Sequence, residues 1–266
     1  MEPTLQVNGI DVFVEGDGPQ TVVMVHGWPD THRLWDAQVA GLKAHHRCVR
    51  FTLPGFDVAK PAEAHSLDDV VEAIEAVVQR TSPGRRVVLM LHDWGCVFGY
   101  EFAMRWPTKV SKIIGVDIGD VGSTQYLRSL GVKAKAGVAA YQLWLVLDWR
   151  IDGSIGDAMT RTMARAIRAP GRPETIGAGM NYPYDIAWTR SHGSYRKRLE
   201  FRPACPMLFV YGTKKPFLFH SPRWAQALGA IPGNRVIPFD TGHWVMSEQP
   251  QAFNAAVDAW LEGRPA

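Results

Sequence analysis

A lone acid, Asp93, lies where an aliphatic stretch of the chain gives way to an amphipathic one. Residues 87–92 read as a strand buried on both faces, and residues 97–106 place apolar side chains at helical spacing. Such a strand–turn–helix is typical of a nucleophile elbow, which presents one reactive side chain at its tip. The elbow requires a small residue two positions later, here Gly95, although Leu91 departs from the small residue usual two positions earlier. The turn therefore predicts that Asp93 attacks an electrophile, with a helix N-cap as the alternative.

A second turn, His26-Gly27-Trp28-Pro29, follows the aliphatic run 21–25. Ligands of open α/β sheets bind outside the carboxyl ends of the strands, so this turn and the Asp93 turn are expected at one edge. The backbone N–H groups of Trp28 and Trp94 are then predicted to point at one position and to stabilise a developing oxyanion. A tight turn without a chemical role is the alternative.

His243 is the histidine best placed to act as a general base. It lies in the loop Asp240-Thr241-Gly242-His243-Trp244, directly after the last predicted strand. An imidazole at the carboxyl end of a strand can take a proton from a water molecule near the nucleophile. The other histidines lie mostly in predicted loops or helices, where surface exposure is the expectation.

Strands and helices alternate around these turns. The dipeptide Asn8-Gly9 between short apolar runs predicts a β-hairpin, and Ser66 with Asp69 predicts a capping box at the start of a helix. The predicted strands cover 5–7, 11–14, 21–25, 48–53, 87–92, 110–116, 206–211 and 235–239, and the predicted helices cover 33–44, 66–79, 97–106, 222–228 and 248–261. This alternation predicts an α/β fold with a mostly parallel central sheet and helices on both faces.

The alternation stops between residues 120 and 202. This segment is rich in Trp, Tyr and Met, has helical patterning and contains no strand-like run. It is predicted to be a helical cap inserted over one edge of the sheet. The core domain is accordingly predicted at 1–119 and 203–266, and the cap at 120–202.

The composition is that of an ordinary globular protein. The chain has 266 residues, of which 46% are hydrophobic and 21% charged, and its formal net charge is +3. This small, scattered charge argues against nucleic acid or an anionic membrane as a partner. Residues 1–11 carry no basic apolar leader and no apolar run reaches about 18 residues, so a cytoplasmic protein is predicted. Cys48, Cys96 and Cys205 show no metal-ligand spacing and are expected to stay reduced.

Four stretches together resemble the α/β-hydrolases that use an aspartate nucleophile, most closely the epoxide hydrolases and next the haloalkane dehalogenases. They are His26-Gly27-Trp28-Pro29, Leu53-Pro54-Gly55-Phe56, His92-Asp93-Trp94-Gly95 and Gly242-His243-Trp244, in the family's order across nearly the whole chain. The resemblance implies an α/β-hydrolase fold in which Asp93 is the nucleophile and His243 activates water. The amides of Trp28 and Trp94 would then form the oxyanion hole.

The predicted cap carries tyrosines suited to act on a substrate oxygen. Opening an epoxide leaves negative charge on oxygen, which a phenol can hydrogen-bond and protonate. By resemblance to the epoxide hydrolases, two cap tyrosines are expected over the nucleophile. Tyr141 is predicted to be the first and Tyr184 the second, with Tyr182 as the alternative to Tyr184. The alternative role for each of these tyrosines is an aromatic side chain that packs over the core.

The carboxylate that would orient His243 departs from the common family pattern. Many relatives carry an aspartate shortly after the seventh predicted strand, where this chain has Lys215. Asp117 is therefore assigned as the acid, in a placement that resembles many dehalogenases and some epoxide hydrolases. Asp120 stays an alternative, and Asp240 is judged too close in sequence to His243 to reach its far nitrogen. A helix cap or a hinge of the cap is the alternative role for Asp117.

These residues and the resemblance predict a hydrolase that converts epoxides to vicinal diols through an ester on Asp93. No metal or organic cofactor is required. The substrate is expected to be a small apolar or aromatic epoxide. Phe56, Tyr182 and Trp144 are expected to contact it.

Other functions stay open on the same residues. A haloalkane dehalogenase would also use Asp93 and would need two N–H donors for the halide, from the Trp94 indole and a cap tryptophan such as Trp144. Lys215 motivates a non-catalytic ligand-binding protein of the same fold, because fold does not fix function. For the oligomeric state, both a homodimer and a monomer are left open.

Overall fold

The computed structural model describes residues 2–264, which form an eight-stranded sheet and surrounding helices. The strands are β1 (Leu5–Val7), β2 (Ile10–Glu15), β3 (Gln20–Val25), β4 (His46–Phe51), β5 (Val87–His92), β6 (Val110–Val116), β7 (Met207–Gly212) and β8 (Arg235–Phe239). All the predicted strands are confirmed, with small shifts at their ends. Met1, Pro265 and Ala266, which belong to the predicted core domain, lie outside the described residues.

Helices connect most of the strands. They are α1 (Asp36–Leu42), α2 (Leu67–Thr81), α3 (Trp94–Arg105), α4 (Thr124–Ser129), α5 (Val132–Ile151), α6 (Gly153–Ala166), α7 (Tyr182–Thr189), α8 (Pro222–Gly229), α9 (Val245–Glu248) and α10 (Pro250–Leu261). The predicted capping box is confirmed, since Ser66 and Asp69 each accept the other's backbone N–H through their side chains. The helix predicted over 248–261 is confirmed as α10, which begins at Pro250 because the proline disfavours a helical conformation at Gln249.

The sheet order is β1-β2-β4-β3-β5-β6-β7-β8. Pairing is antiparallel between β1, β2 and β4 and parallel in the rest of the sheet. Val23 and Leu89 belong to the buried cluster on one face, which α2 and α3 cover, and Val22 and Val88 belong to the cluster under α1 and α10. The predicted architecture, a mostly parallel sheet with helices on both faces, is confirmed.

Chain direction across the sheet reverses beside β3. The chain leaves β3 for β4 on one side and later enters β5 on the other side. The loops after β3 and β5 therefore meet at a crevice outside the carboxyl ends of the strands, the usual ligand position in such sheets. The loops after β6, β7 and β8 reach the same edge because these strands are parallel to β5.

The chain between β6 and β7 contributes helices α4 to α7, called the inserted helices below. Helix α5 packs against both α6 and α7. The indole N–H of Trp28, in the loop after β3, donates to the Asn181 side chain at 2.6 Å, which fastens these helices to the sheet edge. Over residues 2–264, none of the helices has both the length and the apolar character that crossing a bilayer needs.

Candidate active site

Asp93 occupies the turn between β5 and α3, directly before the first helical residue, Trp94. Its φ of 52° lies in the left-handed region that L-amino acids rarely adopt, so the surrounding structure must hold it there. A Cβ on Gly95 would overlap the carbonyl oxygens of Val25 and His26. Gly95 is therefore needed because α3 passes against the end of β3, the strand next to β5 in the sheet.

The loop after β3 faces the Asp93 carboxylate. The Trp28 backbone N–H donates to Asp93 Oδ1 at 2.7 Å, and the Trp94 backbone N–H is directed at the same carboxylate. Gly27 is required between them, since a Cβ there would overlap both the Trp94 nitrogen and Oδ1. Two backbone donors thus converge on the Asp93 carboxylate.

The buried His26 imidazole supports this loop through two polar contacts. Its Nε2 accepts the Leu53 N–H at 2.9 Å and its Nδ1 lies 3.0 Å from the Gly27 carbonyl oxygen. Burial lowers the pKa of His26 to about 3, so the imidazole is neutral at physiological pH. Phe56 packs against His26 with ring centroids 5.4 Å apart. The structure therefore places Phe56 in the packed support of the loop, away from the cavity that it was predicted to line.

His243 lies between two carboxylates. Its Nε2 is 3.4 Å from Asp93 Oδ2, and its Nδ1 donates to Asp117 Oδ2. Asp117 directly follows β6, is fully buried, and has a φ of 70°. One carboxylate thus faces the cavity, while the other fixes the tautomer and orientation of the imidazole between them.

The two carboxylates determine the ionisation of His243. Burial by itself would lower its pKa, but Asp117 and then Asp93 outweigh burial and raise the pKa of His243 to about 9. Burial would raise the pKa values of Asp93 and Asp117, but His243 holds both below their usual range. An imidazolium is therefore paired with two carboxylates near neutral pH. Neutralising Asp93 would remove one source of the upward shift and lower the pKa of His243.

Lys215 lies against Asp117. Its Nζ pairs with Asp117 Oδ1, which also accepts the Gly212 N–H at 3.0 Å. The Lys215 side chain is 7% exposed, and Nζ lies 5.4 Å from the centre of the Phe219 ring. With the Nδ1 of His243, three donors surround the Asp117 carboxylate. Sequence reasoning noted Lys215 only as a departure from the family, and a lysine at the position of the missing acid was the one available signal of this contact.

Tyr141 on α5 and Tyr184 on α7 come together beside Trp28. Their hydroxyl oxygens are 2.8 Å apart, and their ring centroids are 5.6 Å apart. The Trp28 ring packs edge-on against both, at 5.8 Å from Tyr141 and 6.0 Å from Tyr184. Burial, reinforced by the nearby charge of Asp93, raises the pKa of both phenols well above the ordinary value, so both stay protonated.

Tyr182, the alternative to Tyr184, lies elsewhere. Its hydroxyl donates to the Pro54 carbonyl oxygen at 3.1 Å, and its ring packs against Phe56 at 5.9 Å. Two residues further along α7, Tyr184 projects toward Tyr141 instead. The structure therefore brings together Tyr141 and Tyr184, and it does not bring Tyr182 to the cavity.

A cavity of about 2160 Å³ extends from Asp93 and His243 along the inserted helices. Tyr141, Tyr184 and the Trp28 ring line its inner end. Trp144, predicted to contact substrate, does not line this cavity, and its indole N–H is directed at the Met159 carbonyl oxygen, 3.5 Å away. The reason is helical geometry. Leu145 and Asp148 are the buried residues of α5 beside Tyr141, so Trp144 begins the outer side of the helix.

The two other carboxylates considered for orienting His243 have different partners. Asp120 accepts the Ser221 N–H at 2.7 Å and the hydroxyls of Ser123 and Ser221. Asp240 forms an ion pair with Lys214 at 2.7 Å.

The geometry suits covalent catalysis by a carboxylate. A cavity-facing carboxylate, an imidazole beside it and paired backbone donors are the parts that such a reaction requires. Within the part of the chain that the structure describes, no group of three or more His, Cys, Asp or Glu side chains is arranged to hold a metal ion.

Solved structures with low sequence identity share the fold. An epoxide hydrolase from Bacillus megaterium, bound to an inhibitor, superposes with a TM-score of 0.72 and 20% identity over 97% of this chain and 99% of that one. An esterase from Exiguobacterium antarcticum superposes with a TM-score of 0.72 and 20% identity over 98% of this chain and 100% of that one.

Curated relatives carry different names. "Probable oxidoreductase EphD" of Mycobacterium tuberculosis is 42% identical over 101 residues, which is 36% of this chain and 17% of that protein. The match thus spans about a sixth of that relative's length. "Cis-3-alkyl-4-alkyloxetan-2-one decarboxylase" of Xanthomonas campestris is 24% identical over 97% of this chain and 94% of that protein. "Epoxide hydrolase 1" of Caenorhabditis elegans is 26% identical over 40% of this chain and 27% of that protein.

A family model decides the classification. The model described as the alpha/beta hydrolase family matches residues 22–256. This range begins in β3, runs through the Asp93 turn and the inserted helices, and ends in α10. The chain belongs to the alpha/beta hydrolase family.

Proposed function

We propose that this protein hydrolyses epoxides to vicinal diols through an ester on Asp93. One observation carries the proposal: the hydrogen-bonded phenol pair, Tyr141 and Tyr184, shares one cavity with an aspartate that lies beside an imidazole. The carboxylate supplies a nucleophile, and the phenols supply a proton for the oxygen that leaves carbon. An ester-cleaving serine enzyme needs no such acid pair, whereas opening an epoxide does.

In the first step, an Asp93 oxygen attacks one epoxide carbon. The C–O bond breaks, and the ring oxygen takes a proton from Tyr141 or Tyr184. The remaining phenol stabilises the resulting phenolate through the 2.8 Å hydrogen bond until the proton is replaced from solvent. The product of this step is a hydroxyalkyl ester of Asp93.

In the second step, water hydrolyses the ester. Esterification removes the Asp93 charge, which lowers the pKa of His243 and lets the imidazole lose its proton to solvent. Neutral His243 then takes a proton from water, and the hydroxide attacks the ester carbonyl carbon. The amides of Trp28 and Trp94 stabilise the oxyanion. Collapse breaks the bond to the alkyl oxygen, which accepts the proton from His243 and leaves as the diol. The Asp93 carboxyl group then gives the proton of the added hydroxide to His243, which restores the carboxylate and the imidazolium.

In this scheme, Lys215 is the ion-pair partner of Asp117. Asp117 must stabilise the imidazolium form of His243 without preventing its return to the neutral form. The Lys215 ammonium takes up part of the Asp117 charge, which moderates the upward shift of the pKa of His243. An intact chain of contacts from Asp93 to Lys215 also favours a catalytic protein over a non-catalytic ligand-binding one.

Haloalkane dehalogenation is less well supported. A departing halide needs two N–H donors, but the Trp144 indole is directed at the Met159 carbonyl oxygen and the Trp28 indole donates to Asn181. The Trp94 indole N–H is directed at the Tyr184 hydroxyl, so it is also occupied.

Opening of a four-membered lactone is a second candidate function. The relative whose match covers nearly both full chains is named for an oxetanone substrate, another strained ring that a carboxylate can attack. The departing group would be a carboxylate, which is a good leaving group without protonation. This reaction would therefore not depend on the Tyr141–Tyr184 pair, and that dependence separates the two candidates.

A single-turnover reaction in water labelled with heavy oxygen tests the proposal. With enzyme in excess over an aryl epoxide, the scheme takes the new diol oxygen from Asp93, so the label should enter the Asp93 carboxylate and not the diol. Parallel assays with 1-haloalkanes and a cis-dialkyl oxetanone test the other functions. Label in the diol after one turnover, or turnover of a haloalkane or oxetanone with no diol from any epoxide, would overturn the proposal.

A further inference from the structure

Helix α5 carries a continuous apolar face on its outer side, away from the cavity. The exposed members of this face, called the α5 stripe below, are Val132, Ala136, Ala140, Leu143, Trp144, Leu147 and Ile151. They recur every three or four residues, so they form one band along the whole helix. Its large members are between 39% and 84% exposed. Monomeric proteins rarely expose an apolar band of this length.

We propose that the α5 stripe is the interface of a homodimer in which two copies of α5 pack antiparallel across a twofold axis. The spacing of the stripe supports this arrangement, because its positions are placed symmetrically about the middle of the helix, with small residues on one side and large residues on the other. With the axis between Leu143 and Trp144, Ala140 lies opposite Leu147 of the second copy. One turn further out, Ala136 lies opposite Ile151. Each small side chain thus meets a large one, as a self-complementary interface requires.

Charge at the two ends of α5 favours the antiparallel direction. Lys133 and Lys135 are exposed in the first turn. Asp152 is exposed directly after the last turn, where the free carbonyl groups also carry partial negative charge and where Arg150 is already paired with Asp185 at 2.7 Å. Antiparallel packing brings the lysines of one copy to the negative end of the other. Parallel packing would bring like charges together at both ends.

The available area sets the strength of the contact. Helix α5 has 20 residues and is therefore about 30 Å long, so a strip roughly 10 Å wide buries about 300 Å² per copy. A standard interface buries about 800 Å² per copy. Ile155, which is 64% exposed just beyond the end of α5, adds to the contact. We therefore expect a reversible dimer whose population depends on concentration.

Sedimentation velocity of the full chain over a range of concentrations tests the proposal. The wild-type protein should shift from monomer to dimer as concentration rises, and Leu147→Glu should weaken dimerisation at least tenfold. Ile231→Glu is the matched control, since Ile231 is 54% exposed beyond α8 and lies outside the stripe; this variant should dimerise like wild type. A monomer at every concentration, or equal dimerisation by Leu147→Glu, would overturn the proposal. Flotation of a monomeric protein with phosphatidylglycerol vesicles would overturn it in favour of a lipid surface.

Disulfide trapping tests the direction of packing and does not depend on the folding of a charged variant. In a Cys205→Ser background, the pair Ala140→Cys and Leu147→Cys should give a covalent dimer on mild oxidation, because these positions face each other across the axis. Ala136→Cys alone should not, since the two copies of this residue would lie about 20 Å apart along the helices. Efficient trapping through Ala136→Cys would contradict the antiparallel arrangement.

Discussion

The sheet edge and the inserted helices hold their site residues by different means. At the sheet edge, the turns that carry Asp93 and Asp117 have left-handed φ values of 52° and 70°, and backbone N–H groups bind both carboxylates. Among the inserted helices, Tyr141 and Tyr184 are held by ring packing and by their hydrogen bond to each other.

On the proposed function, this difference separates the groups that form and hydrolyse the ester from the phenols that protonate the epoxide oxygen. Strand ends and strained turns allow little adjustment, so the sheet edge would present one fixed arrangement of the proposed nucleophile, base and oxyanion donors. Helices that contact the sheet edge through side chains, such as Trp28 with Asn181, can shift their phenols without disturbing the base. Substitution of a carboxylate at the sheet edge should therefore reduce turnover more than substitution of a phenol in the inserted helices.

Asp117→Asn should have the largest effect. An amide cannot stabilise the imidazolium and favours the wrong tautomer of His243, so kcat for epoxide hydrolysis should fall by about 10³- to 10⁴-fold. Stopped-flow and steady-state assays measure the loss in the second step. Asp240→Asn is the control, since Asp240 pairs with Lys214 and should tolerate the change. Comparable activity in Asp117→Asn and Asp240→Asn would remove Asp117 from the site.

Tyr141→Phe should have an intermediate effect. One phenol remains to protonate the epoxide oxygen, so the rate of ester formation should fall by about 10- to 100-fold, with little change in ester hydrolysis. Tyr184→Phe should behave alike, and the double variant should lose more than either. Tyr182→Phe is the control, because its hydroxyl is bound to the Pro54 carbonyl oxygen. A full rate of epoxide opening in the double variant would favour lactone opening over epoxide hydrolysis.

Lys215→Met should have the smallest effect, seen in the pH profile. Removing this cation strengthens the negative field of Asp117 at His243, which raises the pKa of His243. Ester hydrolysis requires the neutral imidazole, so its rate is lost as pH falls through that pKa. The acid limb of kcat should therefore move to higher pH, by up to roughly one unit. Lys215→Arg keeps the charge and should restore the wild-type limb, whereas a lower rate with an unmoved limb would leave Lys215 only a packing role.

The sheet edge was largely predictable from sequence because its requirements are local. Asn8-Gly9 forms the predicted hairpin turn with both φ values positive, at 48° and 77°. Gly95 is needed where backbones approach closely, as predicted. The departure at Leu91 also has a local explanation, since Gly99, in the second turn of α3, leaves space for the Leu91 side chain.

The inserted helices were less predictable, because the direction in which each side chain leaves its helix decides what it contacts. The resemblance to epoxide hydrolases indicated Tyr141 and favoured Tyr184, with Tyr182 as the alternative, and two positions along α7 decide between the last two. Trp144 was assigned to the substrate, although only the packing of α5 on its neighbours shows that it faces outward. Lys215 is a similar case, because its contact with Asp117 joins loops nearly a hundred residues apart in the chain.

The most direct test of the account is the mass of His243→Gln protein after incubation with an aryl epoxide. This variant keeps the Asp93 carboxylate and the phenols but cannot activate water. Intact and peptide mass spectra should therefore show one substrate added per chain, on the peptide that carries Asp93, with little diol released. Unmodified protein, or an adduct on any other residue, would contradict a covalent mechanism at Asp93.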